Sequence, residues 1–453
     1  RDSPQPGNEC PHTGIISSAV RKACRTIPDM AIDMQHHPVD HKVAPTGPMA
    51  LSGVRILDLS RVLAGPWCTQ TLADLGADVI KVERPGNGDD TRAWGPPYLK
   101  DEQGQDTSET AYFLGTNRNK RSIAIDIAKP EGQALIRELA GSVDVLVENF
   151  KVGDLARYGL DAQQLLNQYP GLVICSITGF GQTGPYQARA GYDYAIQGMG
   201  GLMSVTGERD DRPGGGPQKV GVAVVDLFTG MYATVAILAA LRHRDATGQG
   251  QVIDLALFDT QLAMLANLGA SYLSSGQAPT RLGNAHQNIV PYQVFEASDG
   301  HLILAVGNDG QFAKFCEIAG HPEWAADPRF AKNSDRVRHR ETLVPMVAEV
   351  MRLRPRQDWL HALESAKVPG GAINNVAEAF SDPQAQARGA AVSLPHPLSD
   401  QLRVVANPIK LSATPVQYRQ APPLLGQHTV ELLQEAGLSA GRIAALRQAG
   451  VIA

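Results

Sequence analysis

Residues 53–83 read GVRILDLSRVLAGPWCTQTLADLGADVIKVE. Residues 54–59 are apolar apart from Arg55 and Asp58 and predict a β-strand. Ala64-Gly65-Pro66 then opens a helix running to about Leu72, with proline where a first helical turn tolerates it. Residues 77–83 predict a second strand. Two strands joined by a helical crossover must run parallel, because an antiparallel pair would need only a tight turn. The same alternation continues through a strand at 121–126, a helix at 130–140 and strands at 143–148 and 172–177. The expected fold class is therefore α/β, a doubly wound parallel sheet. Ligands of such sheets bind at the carboxyl ends of the strands.

The pattern changes further along. A long apolar helix is expected after residue 256, to about Ser274. Residues 292–295 and 301–306 predict antiparallel strands turning at Asp299-Gly300, and helices follow from 309 to about 366. From about 391 the chain returns to turns and two short helices. The expected organisation is an N-terminal extension at 1–48, a large α/β domain at 49–245, a linker helix at 246–284, a small α+β domain at 285–390 and a C-terminal segment at 391–453. The extension carries Pro4, Pro6, Pro11, Pro28, Pro38, Pro45 and Pro48 with no sustained period, and poor order is expected there.

Composition excludes several classes. With 43% hydrophobic and 19% charged residues, the 453-residue chain reads as globular rather than disordered. A net charge of −5 without a basic block argues against nucleic-acid binding. The longest apolar run, residues 231–241, falls short of the ~20 residues of a membrane span. No signal-peptide pattern opens the chain. Cys10, Cys24, Cys68, Cys175 and Cys316 are far apart and include no CxxC, which predicts neither a disulfide framework nor a zinc site, and a cytoplasmic, reducing compartment. The His36, His37 and His41 cluster reads as a solvated tail rather than a metal site.

Gly179-Phe180-Gly181-Gln182-Thr183-Gly184 matches GxGxxG, but Pro185 follows at once and no strand ending in an acid occupies the required place. The stretch reads as a turn, not a dinucleotide site. The run at 214–216 has no P-loop lysine, and the chain contains neither G-x-S-x-G nor HExxH. Chemistry must then rest on carboxylates, and Asp226 and Asp193 stand out. Asp226 is the only charged residue between Lys219 and Arg242 and opens an apolar helix destined for burial. An Asp with its ordinary pKa of ~3.9 is ionised at neutral pH and can attack a carbonyl without a partner base. On this segment alone, helix capping explains it as well. Arg84 ends a strand, Asn149-Phe150 ends another and Arg157 follows closely, a set suited to a phosphate-bearing, purine-containing ligand.

Blocks along nearly the whole chain from about Leu51 resemble the class III CoA-transferases: 61–66, 76–84, 88–92, 119–122, 147–150, 178–185, 226–230 and 423–429. Within that family, which also holds formyl-CoA and carnitine CoA-transferases and α-methylacyl-CoA racemases, residues 90–97, 285–293 and 426–429 are most similar to the succinyl-CoA:glutarate branch. The glycine run of formyl-CoA transferase is replaced by His286-Gln287-Asn288, and a glutamine after its first strand by Leu63. The resemblance implies an interlocked, ring-like homodimer in which residues 391–453 rejoin the large, CoA-binding domain. It implies coenzyme A as substrate and product, with no permanently bound cofactor and no metal. Asp226 falls on the catalytic aspartate, which would take the acyl group as a mixed anhydride and then CoA as a thioester. Val62, Ala64, Arg84, Ile125, Asn149, Phe150, Arg157 and Tyr192 match residues lining the CoA site. Asp193 matches an acid/base position of the racemases, the alternative reading, although Tyr192 stands where those enzymes carry His.

Overall fold

A computed structural model describes residues 47–453. The extension up to residue 46, with Cys10, Cys24, His36, His37 and His41, lies outside the described residues. Six strands, β1 Arg55–Asp58, β2 Asp78–Glu83, β3 Lys120–Ala124, β4 Val145–Glu148, β5 Val173–Thr178 and β6 Val252–Ala256, form one all-parallel sheet in the order β3-β2-β1-β4-β5-β6. The order reverses between β1 and β4, so the loops leaving these two strands diverge and open a crevice at their carboxyl ends.

Successive strand residues point to opposite faces, and both faces are covered. Leu57, Ile80, Ile123, Leu146 and Ile174 pack with the helix Pro130–Ala140 and with the C-terminal helices Thr429–Glu435 and Ala440–Gln448. Ile56, Val79, Val145, Val147, Val173 and Cys175 pack on the other face with the helices Ala64–Asp74 and Val224–Thr247. The C-terminal segment is stitched to the sheet edge by Asp126 N–H donating to Val451 O at 2.8 Å and by a bridge between Ile125 and Ile452.

Residues 252–256, inside the stretch expected to be a linker helix, are instead the sixth strand, paired with β5 from Ile174–Val252 to Thr178–Ala256. The single long helix expected after it is two, Leu257–Met264 and Ala266–Ser275, because Ala266 adopts φ 44° and breaks the helical run. A separate core lies around the antiparallel strands β7 Tyr292–Ala297, β8 Gly300–Ala305 and β9 Gly370–Ala372, with Phe312, Phe315, Trp359 and Leu363 against them.

The Val224–Thr247 helix also departs from expectation. Val225, Ala233, Ile237 and Leu241 are buried, whereas Phe228, Met231, Tyr232 and Val235 face outward, Val235 with 61% of its surface exposed. By length and composition alone this helix could cross a membrane. The spacing of its two faces is instead that of a helix packed on a sheet with a second apolar side to cover.

Candidate active site

The crevice is built on a network of buried ions. Lys81, fully buried in β2, donates to Asp89 Oδ2 at 2.9 Å and to Ser60 O at 3.0 Å. Lys120 opens β3 and donates to Asp58 Oδ2 at 3.2 Å, Pro66 O at 3.0 Å and Asn117 Oδ1 at 2.9 Å. Arg92 grips Glu83 with Nε at 2.7 Å and Nη2 at 2.9 Å, reaches Glu109 at 3.0 Å, and lies 3.6 Å over the Phe113 ring. Burial alone would raise the carboxyls of Asp58, Glu83 and Asp89, but their cations and hydrogen bonds outweigh it. All three are held below the usual carboxylate range, Asp89 at about 2.

This network shapes the turn after β1. Asp89 accepts the Val62 N–H at 3.2 Å, and Val62 is held at φ 73°, a conformation a β-branched residue rarely adopts. Across the switch point, Arg61 N–H donates to Asn149 Oδ1 at 2.9 Å and Asn149 Nδ2 returns a bond to Arg61 O at 2.7 Å. The Arg61 guanidinium lies 5.7 Å from the Phe150 ring centroid. Val62, Ala64, Asn149 and Phe150 are thus brought together at the switch point. Arg84 leaves β2 on the same edge, exposed and without a side-chain partner among the described residues. A cavity of about 270 Å³ beside Phe150 is lined by Glu148, Lys151, Gly153 and Ala156 and does not reach Asp226. Burial pushes Glu148 there up to about 7.

Two of the expected site residues sit differently. Ile125 is 1% exposed and belongs to the sheet core, so it offers no side chain to the crevice. Arg157, on the short helix Asp154–Arg157, is exposed and paired with Asp154. Gly179–Gly184 makes the expected turn: Gly181 N–H donates to Thr178 Oγ1 at 2.9 Å, and Gly179 packs so tightly on Gly191 that a Cβ there would lie 2.5 Å from its Cα.

Asp226 is the third residue of its helix, one turn before Gly230. A Cβ on Gly230 would come within 2.6 Å of Ala64 O, and this close approach sets the nucleophile-bearing turn beside the start of the Ala64–Asp74 helix, at the end of β1. The helix is not capped by its own N-cap residue, Ala223. The cap comes from Asp193, which opens the helix Asp193–Met199: its Oδ1 accepts from Val225 N–H at 2.8 Å and Asp226 N–H at 3.3 Å. Its Oδ2 accepts from Gln197 Nε2 at 2.6 Å, and Gln197 Oε1 accepts the Val220 N–H at 2.9 Å. Asp226 is therefore not the cap, and the amides that could have stabilised its charge are already taken.

Burial, then the neighbouring Asp193 charge, push the Asp226 carboxyl up to about 7. The expectation that it is fully ionised at neutral pH is corrected accordingly: a partly desolvated carboxylate beside a like charge ionises late. Sequence reading missed Tyr112, whose phenol is pushed up to about 12 by burial and by Asp226, Asp193 and Asp89, so it stands between the two groups of acids. Trp94 meets it edge-on at 5.2 Å. Three arginines that could otherwise meet a second substrate carboxylate, Arg118, Arg121 and Arg281, are engaged within the protein. Arg118 holds Asp74 with bonds of 3.0 and 2.6 Å, and Arg121 holds Asp78, Glu431 and Glu435. Asp78 begins β2, so the Arg121 cluster lies at the amino edge of the sheet, away from the crevice. Arg281 is bound to Asp210 and to the Glu208 carbonyl.

Residues 51–429 match the model of CoA-transferase family III. The chain is 52% identical over 385 residues to the succinate–glutarate CoA-transferase of Agrobacterium fabrum, covering 85% of this chain and 95% of that one. It is 43% identical to the succinyl-CoA:glutarate CoA-transferase of Homo sapiens, covering 85% of each. A crystal structure of a CAIB/BAIF family protein from Brucella suis superposes with a TM-score of 0.75 at 48% identity, over 86% of this chain and all of that one.

Proposed function

Because the chain belongs to CoA-transferase family III, we propose that it moves CoA from succinyl-CoA to glutarate or a close dicarboxylate, with Asp226 as the nucleophile. The enzyme is a CoA-transferase. The single observation that carries the role of Asp226 is its setting: a carboxylate at the switch-point crevice, unpaired with any cation among the described residues and raised to about 7. Perturbed carboxyls in a cleft are the groups chemistry uses.

The Asp226 carboxylate attacks the donor thioester carbonyl and releases CoA thiolate, leaving a mixed anhydride. The thiolate attacks the aspartyl carbonyl, freeing the donor acid and forming an aspartyl-CoA thioester. The acceptor carboxylate attacks that carbonyl and expels the thiolate, and the thiolate takes the acceptor acyl group from the new anhydride, returning Asp226. Each nucleophile is an anion, so no base is needed. Arg84, Arg157, Val62, Ala64, Asn149, Phe150 and Tyr192 would hold CoA, with the arginines on its phosphates. A racemase is not favoured: the similar relatives are named as CoA-transferases, and both oxygens of Asp193 already accept hydrogen bonds from the helix turn and Gln197.

The relatives named for glutarate supply the acceptor class. Exposed Tyr192, Tyr194, Phe228, Met231, Tyr232, Leu262 and Leu273 supply an apolar area that a second copy of the chain would cover as a homodimer. The buried free thiols Cys68, Cys175 and Cys316 suit a reducing, cytoplasmic setting. Incubation with succinyl-CoA followed by mass spectrometry should place a covalent adduct on the Asp226 peptide. Asp226→Ala should abolish transfer while CoA still binds, and kcat/KM should favour glutarate over formate, oxalate and carnitine. Transfer surviving in the alanine variant would return Asp226 to a structural role.

A further inference from the structure

Asp193 spends its carboxylate on the first turn of a helix 33 residues downstream, although a neutral side chain could cap that turn as well. Only 8% of it is exposed, and Gln197, fully buried, braces it against Val220. The titratable groups near Asp226 are Asp193, from the Asp193–Met199 helix, and Tyr112, from the Ala111–Leu114 helix, whose phenol also feels Asp89. The Ala64–Asp74 helix, packed along the Asp226 helix, contributes Cys68, whose partner there is Thr234. Among the described residues no cation acts on Asp226.

We propose that Asp193 is a positioning residue for the nucleophile: it fixes the backbone of the first helical turn and sets its own carboxylate beside Asp226, so that the neutral acylated forms of Asp226 are favoured over its free carboxylate. The inference rests on Asp226 being the nucleophile. Two like charges side by side at a partly desolvated turn repel, and acylation removes one of them. The anhydride and the CoA thioester of Asp226 are both uncharged at that position, so each relieves the repulsion as protonation does. The same repulsion makes the Asp226 oxygen more basic, hence a stronger nucleophile once ionised. The raised ionisation of Asp226 agrees with this arrangement.

The test compares Asp193→Asn, which keeps an oxygen for the Val225 and Asp226 amides but removes the charge, with Gln197→Ala, which removes the brace but keeps the charge. In the wild type, the single-turnover rate of adduct formation should rise with pH through about 7. In Asp193→Asn the acid limb should move down by about one pH unit, and the fraction of enzyme trapped as aspartyl-CoA should fall about tenfold, the equivalent of one unit. Gln197→Ala should lower the melting temperature and leave the acid limb in place. An unchanged limb and adduct fraction in Asp193→Asn overturns the proposal. If that variant does not fold, a wild-type limb near the ordinary carboxylate value overturns it equally. A wild type with no adduct on Asp226 removes the underlying reading instead, so the two failures are distinguishable.

Discussion

Two groups of acids share the carboxyl edge of one sheet and are treated in opposite ways. Asp58, Glu83 and Asp89 are buried against Lys120, Arg92 and Lys81 and held acidic. Asp226 and Asp193 lie beside each other with no cation among the described residues, and burial and the like charge raise Asp226 to about 7. Burial pushes every one of the four titrated carboxyls upward, so burial does not separate them. The partner does: a charge matched inside the protein becomes structure, and a charge left unmatched is kept for a substrate. The matched group also builds the frame, since Asp89 holds the strained Val62 turn and its loss would release the switch-point loop.

The sharpest way to break this contrast is to make the matched group resemble the unmatched one. Lys81→Met removes the cation from Asp89 while filling the same space. Leaving one partner of a buried pair uncompensated costs about 3–5 kcal/mol. The denaturation midpoint should fall accordingly at pH 7, and the loss should shrink at pH values low enough to protonate Asp89. A variant as stable as the wild type would mean that the pairing carries no weight.

The converse change acts on the unmatched group. Asp226 has a folded pKa raised above its unfolded value, so its contribution to stability is fully present below about pH 4 and is lost as pH rises through about 7. Asp226→Asn cannot ionise and should escape that loss. It should be inactive yet more stable than the wild type by up to roughly 4 kcal/mol at pH 8, with little difference near pH 4. Thermal melts of both proteins across pH 4–8 measure this. A variant less stable than the wild type at pH 8 would show that the carboxylate is matched after all.

Part of this contrast is legible in the sequence. The alternation of strand and helix places Arg84, Asn149 and Phe150 at strand ends, and the isolation of Asp226 in an apolar run marks it out. What was hidden depends on contacts distant in sequence. Lys81 lies within a strand pattern that still reads as a strand, and nothing local says that its ammonium meets Asp89. Asp193 caps a helix 33 residues away, and no periodicity reports a cap supplied by another helix. The outward face of the Val224–Thr247 helix was hidden for a different reason: residues 231–241 are apolar all round, so composition could not tell the side packed on the sheet from the side left open. The same blindness let the Val252–Ala256 strand be absorbed into a linker.

The smallest expected effect concerns cations rather than acids, and extends the contrast to them. Arg84 and Arg157 are both expected CoA ligands, but Arg157 is paired with Asp154 while Arg84 has no acid partner among the described residues. An exposed pair such as Arg157–Asp154 is worth only about 0.2–1 kcal/mol, so it can open for a phosphate, yet part of the gain is spent in opening it. Arg84 gives up no such partner. Arg84→Ala should therefore raise KM for every acyl-CoA alike by about fivefold, roughly 1 kcal/mol, with kcat unchanged, as for an interaction made equally in ground and transition states. Arg157→Ala should raise it by about twofold, and Asp154→Ala should lower KM slightly by freeing Arg157. Steady-state kinetics with two acyl-CoA donors decides the order. An Arg157 effect larger than that of Arg84 would show that a charge already matched can still be the principal ligand, and the rule drawn from the two groups of acids would not hold for the cations.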